Sequence, residues 1–184
     1  VNNTTASSGG RVAAQSGNTN YVIEQFTTVG SSSWTVPSGV TSIEYLVVGG
    51  GASGTRGYCS YLWGHGGGGG GVSTGTLSVT PQSSYSITVG NGGAEKVSQS
   101  CNSASSNPGG TSQIALGAST LVQATGGSAG IFGTSTDIGG TSGTGTRGGV
   151  SYSYAGGDGG GNGVAGCSSP TLCGAGGGGG AGGA

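Results

Sequence analysis

The stretch Trp34-Thr35-Val36-Pro37-Ser38-Gly39-Val40-Thr41-Ser42-Ile43-Glu44-Tyr45-Leu46-Val47-Val48-Gly49-Gly50-Gly51 decides how the chain is read. Residues 33–36 and 41–48 are rich in β-branched and aromatic side chains, the composition of strands, and Pro37-Ser38-Gly39 between them is turn chemistry. The second strand then runs straight into glycine. That alternation of short strand and glycine tract recurs along the chain. Strand composition appears again at 21–28, 71–80, 85–89, 112–116 and 120–125, and within 71–80 Val72, Thr74, Thr76 and Ser78 alternate with smaller residues. Glycine tracts lie at 49–57, 64–71, 90–93, 126–130, 139–149, 156–166 and 174–184. The first three strands are expected to form a meander. No window combines apolar spacing of 3.6 residues with helix-forming residues, so no α-helix is expected.

Composition sets the physical problem. Of 184 residues, 49 are glycine and only 5% are charged. Ordering a glycine in a regular element costs roughly 0.5–1 kcal/mol relative to alanine, so 49 of them oppose folding by up to about 25–50 kcal/mol. With few side chains to bury, the backbone itself must supply the compensation, by satisfying its N–H and C=O groups against close neighbours. Extended glycine favours a left-handed helix with three residues per turn and no internal hydrogen bonds. Packed side by side, such polyglycine-II helices exchange N–H···O=C bonds in several directions, with weaker Cα–H···O contacts added. Flexible linkers are the alternative for any single tract, but the aromatic and β-branched runs between the tracts are foreign to disordered chains.

The formal net charge is -1, and Arg11, Arg56, Lys96 and Arg147 are scattered, so no clustered basic face is available for nucleic acid. No apolar run is long enough to span a bilayer as a helix. The chain opens at Val1 without a signal-peptide pattern, consistent with processing, with loss of an initiator residue or with an excised fragment. Four cysteines in a chain so poor in charge read as two disulfides in an oxidising compartment, with three pairings open. Cys167 and Cys173 bracket a short turn and suit a local staple, which leaves Cys59 for Cys101. A zinc site would use tight Cys-x-x-Cys pairs, and the sequence contains none.

The quoted stretch resembles the opening of the glycine-rich domain of bacteriophage tail fibres and adhesins, and a similar signature opens the glycine-rich extracellular region of the anaplastic lymphoma kinase receptor. The resemblance continues through residues 65–71, the strand at 72–80 and Tyr85-Ser86-Ile87-Thr88-Val89-Gly90-Asn91-Gly92-Gly93, covering 21–130. It implies a β-sandwich from which polyglycine helices emerge and bundle, and recognition or scaffolding as the task. Members of such a family commonly close with an apolar strand after the last glycine tract. This sequence ends at Gly182-Gly183-Ala184, so a closing strand is expected either beyond this sequence or from a partner.

Catalysis finds little support in the residues. His65 stands alone before a run of glycines, and Asp137 or Asp158 would have to reach it from distant loops to build a nucleophilic triad. The acids Glu24, Glu44, Glu95, Asp137 and Asp158 form no close sequence pair, and the glycine repeats lack the Gly-Lys-Ser/Thr of a phosphate loop. The expectation is a non-enzyme with no catalytic residue, cofactor or metal. Aromatics offer more. Tyr58, Tyr61 and Trp63 cluster with His65 after Arg56, and Tyr152 and Tyr154 precede Gly156. On rigid glycine loops they would form a binding tip for a cell-surface glycan or an outer-membrane receptor. Their other use is to cap the glycine bundle against water, the commoner fate of large aromatics.

The sequence therefore predicts an all-β fold: a small antiparallel, jelly-roll-like sandwich at 21–130, with an N-terminal arm at 1–20 and a polyglycine-II region at 131–184. The expected setting is extracellular or on a virion surface, as a structural and adhesive module. A self-assembling filament subunit is the second expectation, with homo-oligomer or fibre neighbours as partners, and an ice-binding protein the third, which the sandwich signature suits poorly. In the filament case Arg11, Val12, Ala13 and Ala14 are the candidate donor strand for a neighbour's open sheet edge.

Overall fold

A computed structural model describes residues 9–16, 19–54, 66–95, 107–130, 144–147 and 150–153, with side chains for 22–54, 66–95, 107–130 and 144. All described regular structure is β, with no helix: β1 (Gly9–Ser16), β2 (Thr19–Phe26), β3 (Gly30–Thr35), β4 (Ser42–Val48), β5 (Val72–Ser78), β6 (Ser84–Val89), β7 (Ser112–Leu116), β8 (Ser119–Ala124), β9 (Thr144–Arg147) and β10 (Val150–Ser153). Eight of these strands form two four-stranded sheets, in the orders β10-β9-β5-β4 and β3-β6-β7-β8. Pairing is antiparallel except between β5 and β9, which meet parallel at Thr74 and Arg147. β8 packs against β4, β5 and β9 of the opposite sheet and β7 against β4, so the two sheets approach most closely there.

The strands at 33–36 and 41–48 exist, but they do not pair as a meander. β3 and β4 belong to different sheets. The chain crosses from one to the other at Pro37–Val40, where the amide of Val40 donates to the carbonyl of Pro37 at 3.3 Å and Gly39 takes φ of 81°. A positive φ at the third turn position is the requirement of a type II turn, which glycine meets without strain. Before the turn, the amide of Val36 donates to Ser83 and its carbonyl accepts from Gln82, so the crossing is fastened to the β5–β6 connection. β7 and β8 form a hairpin closed by Gly117-Ala118, with Gly117 at φ 58° in the first loop position, as a type II′ turn demands.

The strand read at 21–28 also differs in place. β2 pairs along its whole length with β1, from Gly9 opposite Phe26 to Ser16 opposite Thr19, and forms a two-stranded sheet separate from the sandwich. Arg11, Val12, Ala13 and Ala14 thus sit in a hairpin with their own chain, facing Glu24, Ile23, Val22 and Tyr21 in register. Further on, residues 144–147 and 150–153, within the stretch 131–184 expected to be polyglycine-II, instead extend the first sheet as β9 and β10, and the rest of that stretch lies outside the described residues. Thr144 and Thr146, and Val150 and Tyr152, alternate there with glycine or serine and are residue types that favour strands.

Between the sheets lies a small core of Val36, Val47, Val79, Tyr85, Ile87, Ile114, Val122 and Ala124, flanked by partly buried Phe26, Trp34, Val40, Ile43, Tyr45 and Leu77. Tyr85, only 2% exposed, is the largest side chain fully inside. Its ring meets Trp34 at 6.0 Å with a 50° tilt, and its hydroxyl accepts the amide of Thr80 at 3.1 Å. A buried tyrosine normally finds such a partner, because an unpaired hydroxyl inside would cost desolvation energy. The Nε1 of Trp34 is shielded from water and has no acceptor among the described residues.

Candidate functional site: a glycine lattice and its distal end

Five glycine-rich segments leave or enter the sandwich at one end: 49–53 after β4, 66–71 before β5, 90–93 after β6, 107–110 before β7 and 125–128 after β8. Their hydrogen bonds have a period of three. Gly49 and Ala52, three residues apart, donate to Gly71 and Gly68 of the second segment, both at 2.8 Å. Gly50 and Ser53, again three apart, donate to Gly110 and Asn107 of the fourth segment, both at 2.9 Å. Gly68 and Gly71 repeat the pattern toward Ser128 and Thr125. A strand would send its amides alternately to two opposite sides; a three-residue helix sends each third amide in the same direction. The segments are therefore polyglycine-II helices.

The first segment is the hub. Besides its donations, its Gly51 carbonyl accepts from Gly93 and its Gly50 carbonyl from Gly127, so it is bonded to all four neighbours. The outer segments close on one another, with Gly109 donating to Gly127 and Gly110 to Asn91. Side chains are excluded by distance. A Cβ placed on Gly49, Gly50, Gly67, Gly70, Gly90, Gly93, Gly109, Gly126 or Gly127 would overlap a carbonyl oxygen of the adjoining segment. Gly51 and Gly92 are different, since a Cβ there comes no nearer than 3.7 and 3.8 Å to any atom. Glycine is thus the only residue that lets these backbones approach closely enough to bond, and the tracts are structure, not linker.

The far end of this lattice brings together the roots of two long excursions, 55–65 and 96–106: the amide of Ser53, just before the first, donates to the carbonyl of Asn107, just after the second, at 2.9 Å. The hydroxyl of Ser53 accepts the amide of Asn107 in return, and the Asn107 side chain donates to the Ala94 carbonyl at 2.7 Å. The chain returns from 131–143 at Thr144, whose carbonyl accepts the amide of Thr125 at 2.9 Å, at the sandwich end of the lattice. Tyr58, Tyr61, Trp63, His65, Tyr154 and all four cysteines, Cys59, Cys101, Cys167 and Cys173, lie outside the described residues. Tyr152 falls in β10, opposite Gly145 of β9, at the edge of the first sheet. Among the described residues no three His, Cys, Asp or Glu side chains stand close enough to hold a metal ion.

Sequence reading missed one surface. The outer face of β3 and β6 carries Ser31, Ser33, Thr35, Ser84, Ser86 and Thr88 in cross-strand register, with Ser31 and Thr88 hydroxyls 3.1 Å apart and those of Ser33 and Ser84 2.7 Å apart. A shallow hollow of about 410 Å³ lies beside them, lined also by Gly117. The signal was the serine run at 31–33 and the serine alternation at 84–86, but their register across two strands distant in sequence is a tertiary fact. These hydroxyls bond each other in pairs, the ordinary state of a solvated sheet face.

The chain belongs to the glycine-rich domain family: that family's model matches residues 27–184, which spans the sandwich, the lattice and all that follows, and leaves the β1–β2 hairpin outside. No curated protein and no solved structure matches the chain.

Proposed function

We propose that this chain is a non-enzymatic structural and adhesive module of an extracellular or virion surface, of the kind found in phage tail fibres and adhesins. The observation that supports the reading most is the hydrogen-bonded root formed by Ser53, Asn107 and Ala94 at the far end of the glycine lattice. A small sandwich projects a hydrogen-bonded bundle, and the bundle holds the ends of two excursions together, one of them carrying Tyr58, Tyr61 and Trp63. Rigid presentation of aromatics lowers the ordering cost of binding, which is the physical requirement of a recognition tip. The ligand class is a cell-surface glycan or an outer-membrane receptor.

Binding of the full chain to intact cells and to immobilised surface glycans tests the reading. Replacing Tyr58, Tyr61 and Trp63 together by alanine should abolish binding while leaving thermal unfolding unchanged; binding that survives the triple change refutes the tip. A second reading, a self-assembling filament subunit, is favoured by the outer edge of β4 in the first sheet, which pairs with no strand among the described residues. Concentration-dependent polymers seen by electron microscopy, with no glycan binding, would select it.

A further inference from the structure

Two features of the fold are incomplete in complementary ways. The first is β4. It is the end strand of its sheet, paired with β5 on one side and with no strand among the described residues on the other. Natural sheet edges are usually guarded by short length, lysine, proline or a bulge. β4 has seven residues in unbroken register with β5, contains neither lysine nor proline, and exposes Leu46 at 69% and Val48 at 51%. The edge strand of the other sheet, β3, is instead rich in serine.

The second feature is the β1–β2 hairpin. It forms a sheet of its own, packs on neither sandwich sheet as a strand, and lies outside the family match. Val22 and Ile23, successive residues that face opposite sides of the ribbon, are 65% and 46% exposed, so each face leaves an apolar side chain open to water, while Phe26 at the end of β2 packs against the sandwich core. A lone two-stranded ribbon is marginally stable in water and needs a third strand or a packing surface. Its charged residues are Arg11 on β1 and, opposite it in register, Glu24 on β2, and the only charged residue of β4 is Glu44, so β1 added to β4 sets Arg11 between two acidic positions. β2 leads into β3 through residues 27–29 alone, and β3 lies in the sheet opposite β4, so the hairpin is tethered on the side away from its own free edge.

We infer that the β1–β2 hairpin of one copy adds edge-on to β4 of a second copy, with β1 as the joining strand and Arg11 beside the partner chain's acidic position at the middle of β4. The inference rests on the fibre reading above. It gives each copy one donor and one acceptor on different parts of its surface. Such a contact is heterologous and propagates as an open filament unless its rotation closes a ring.

Two variants of the full chain test it. Ala13→Pro removes an amide from β1, which breaks either the hairpin ladder or the new one, and leaves the β4 edge intact. Leu46→Lys with Val48→Lys charges the edge at two exposed positions and leaves the hairpin intact. Sedimentation velocity on wild type should show growing oligomers with concentration, each variant alone should associate about tenfold or more weakly, and a one-to-one mixture should form a heterodimer that grows no further. Formation of that heterodimer also proves both variants folded. A Leu46→Lys/Val48→Lys chain that polymerises like wild type overturns the edge while leaving the filament reading in place, and a mixture that stays monomeric overturns donation between copies. Wild type that is monomeric throughout overturns both the inference and the filament reading.

Discussion

Substituting Gly70 by alanine should cost far more than substituting Gly51, although both are glycines of the same bundle. Gly70 is buried, and a Cβ there would occupy the space of the Gly49 carbonyl and approach the backbone of Gly50. The second segment must then withdraw from the hub. The bonds on either side of the clash, Gly49 N–H to Gly71 and Gly71 N–H to Thr125, both 2.8 Å, are the ones lost. A buried amide left unsatisfied costs about 1–3 kcal/mol, so the pair predicts about 2–6 kcal/mol. Total stabilities are about 5–15 kcal/mol, so this change consumes much of the fold's margin. At Gly51 the nearest atom to a new Cβ is the Gly68 oxygen at 3.7 Å, an ordinary contact, and the residue is exposed. Alanine there restricts the unfolded chain and is expected to lie within about 1 kcal/mol of wild type, on the stabilising side. Urea unfolding followed by tryptophan fluorescence reads both, with a midpoint shift of about 1–3 M for Gly70→Ala at a slope of about 2 kcal/mol/M. Equal midpoints for the two variants would refute the lattice as the reason for the glycines.

Three further outcomes follow from particular groups. Tyr85→Phe leaves the amide of Thr80 without its 3.1 Å acceptor in a part-buried site, and should destabilise by about 1–2 kcal/mol in the same assay; an unchanged midpoint would mean water replaces the hydroxyl. Gln82 holds φ of 62° after Pro81 in the β5–β6 turn, so Gln82→Gly should stabilise by about 0.5–1 kcal/mol by relieving left-handed strain; a loss of stability would show the side chain outweighs the backbone. Cys59 and Cys101 stand in excursions whose roots, Ser53 and Asn107, are bonded at 2.9 Å, so peptide mapping without reductant should recover them linked, with Cys167 joined to Cys173. Reduction should then lower stability by about 2–4 kcal/mol per bridge, and four free thiols in the native protein would refute both the pairing and the oxidising compartment.

The strand set was largely legible from the residues, because strand composition and turn chemistry are local. Residues 41–48, 71–80, 85–89, 112–116 and 120–125 coincide with β4 to β8 within a few residues, and the turn at Pro37-Ser38-Gly39 is where the chain bends. The three-residue period of the glycine tracts was also readable for those among the described residues, since extended glycine has few other ordered choices. Partnership was not. Nothing local distinguishes a turn that closes a hairpin from one that carries the chain to the opposite sheet, so β3 and β4 were expected side by side and are not. The strand composition of residues 21–28 could not say that β2 pairs with the arm before it and not with the sandwich, because β-propensity specifies a conformation and leaves the neighbour open. The same holds at the bundle. Sequence shows tracts of glycine; only the tertiary structure decides that Gly70 touches a carbonyl while Gly51 faces open space, because a glycine's neighbours come from segments as distant in sequence as Gly50 and Gly127.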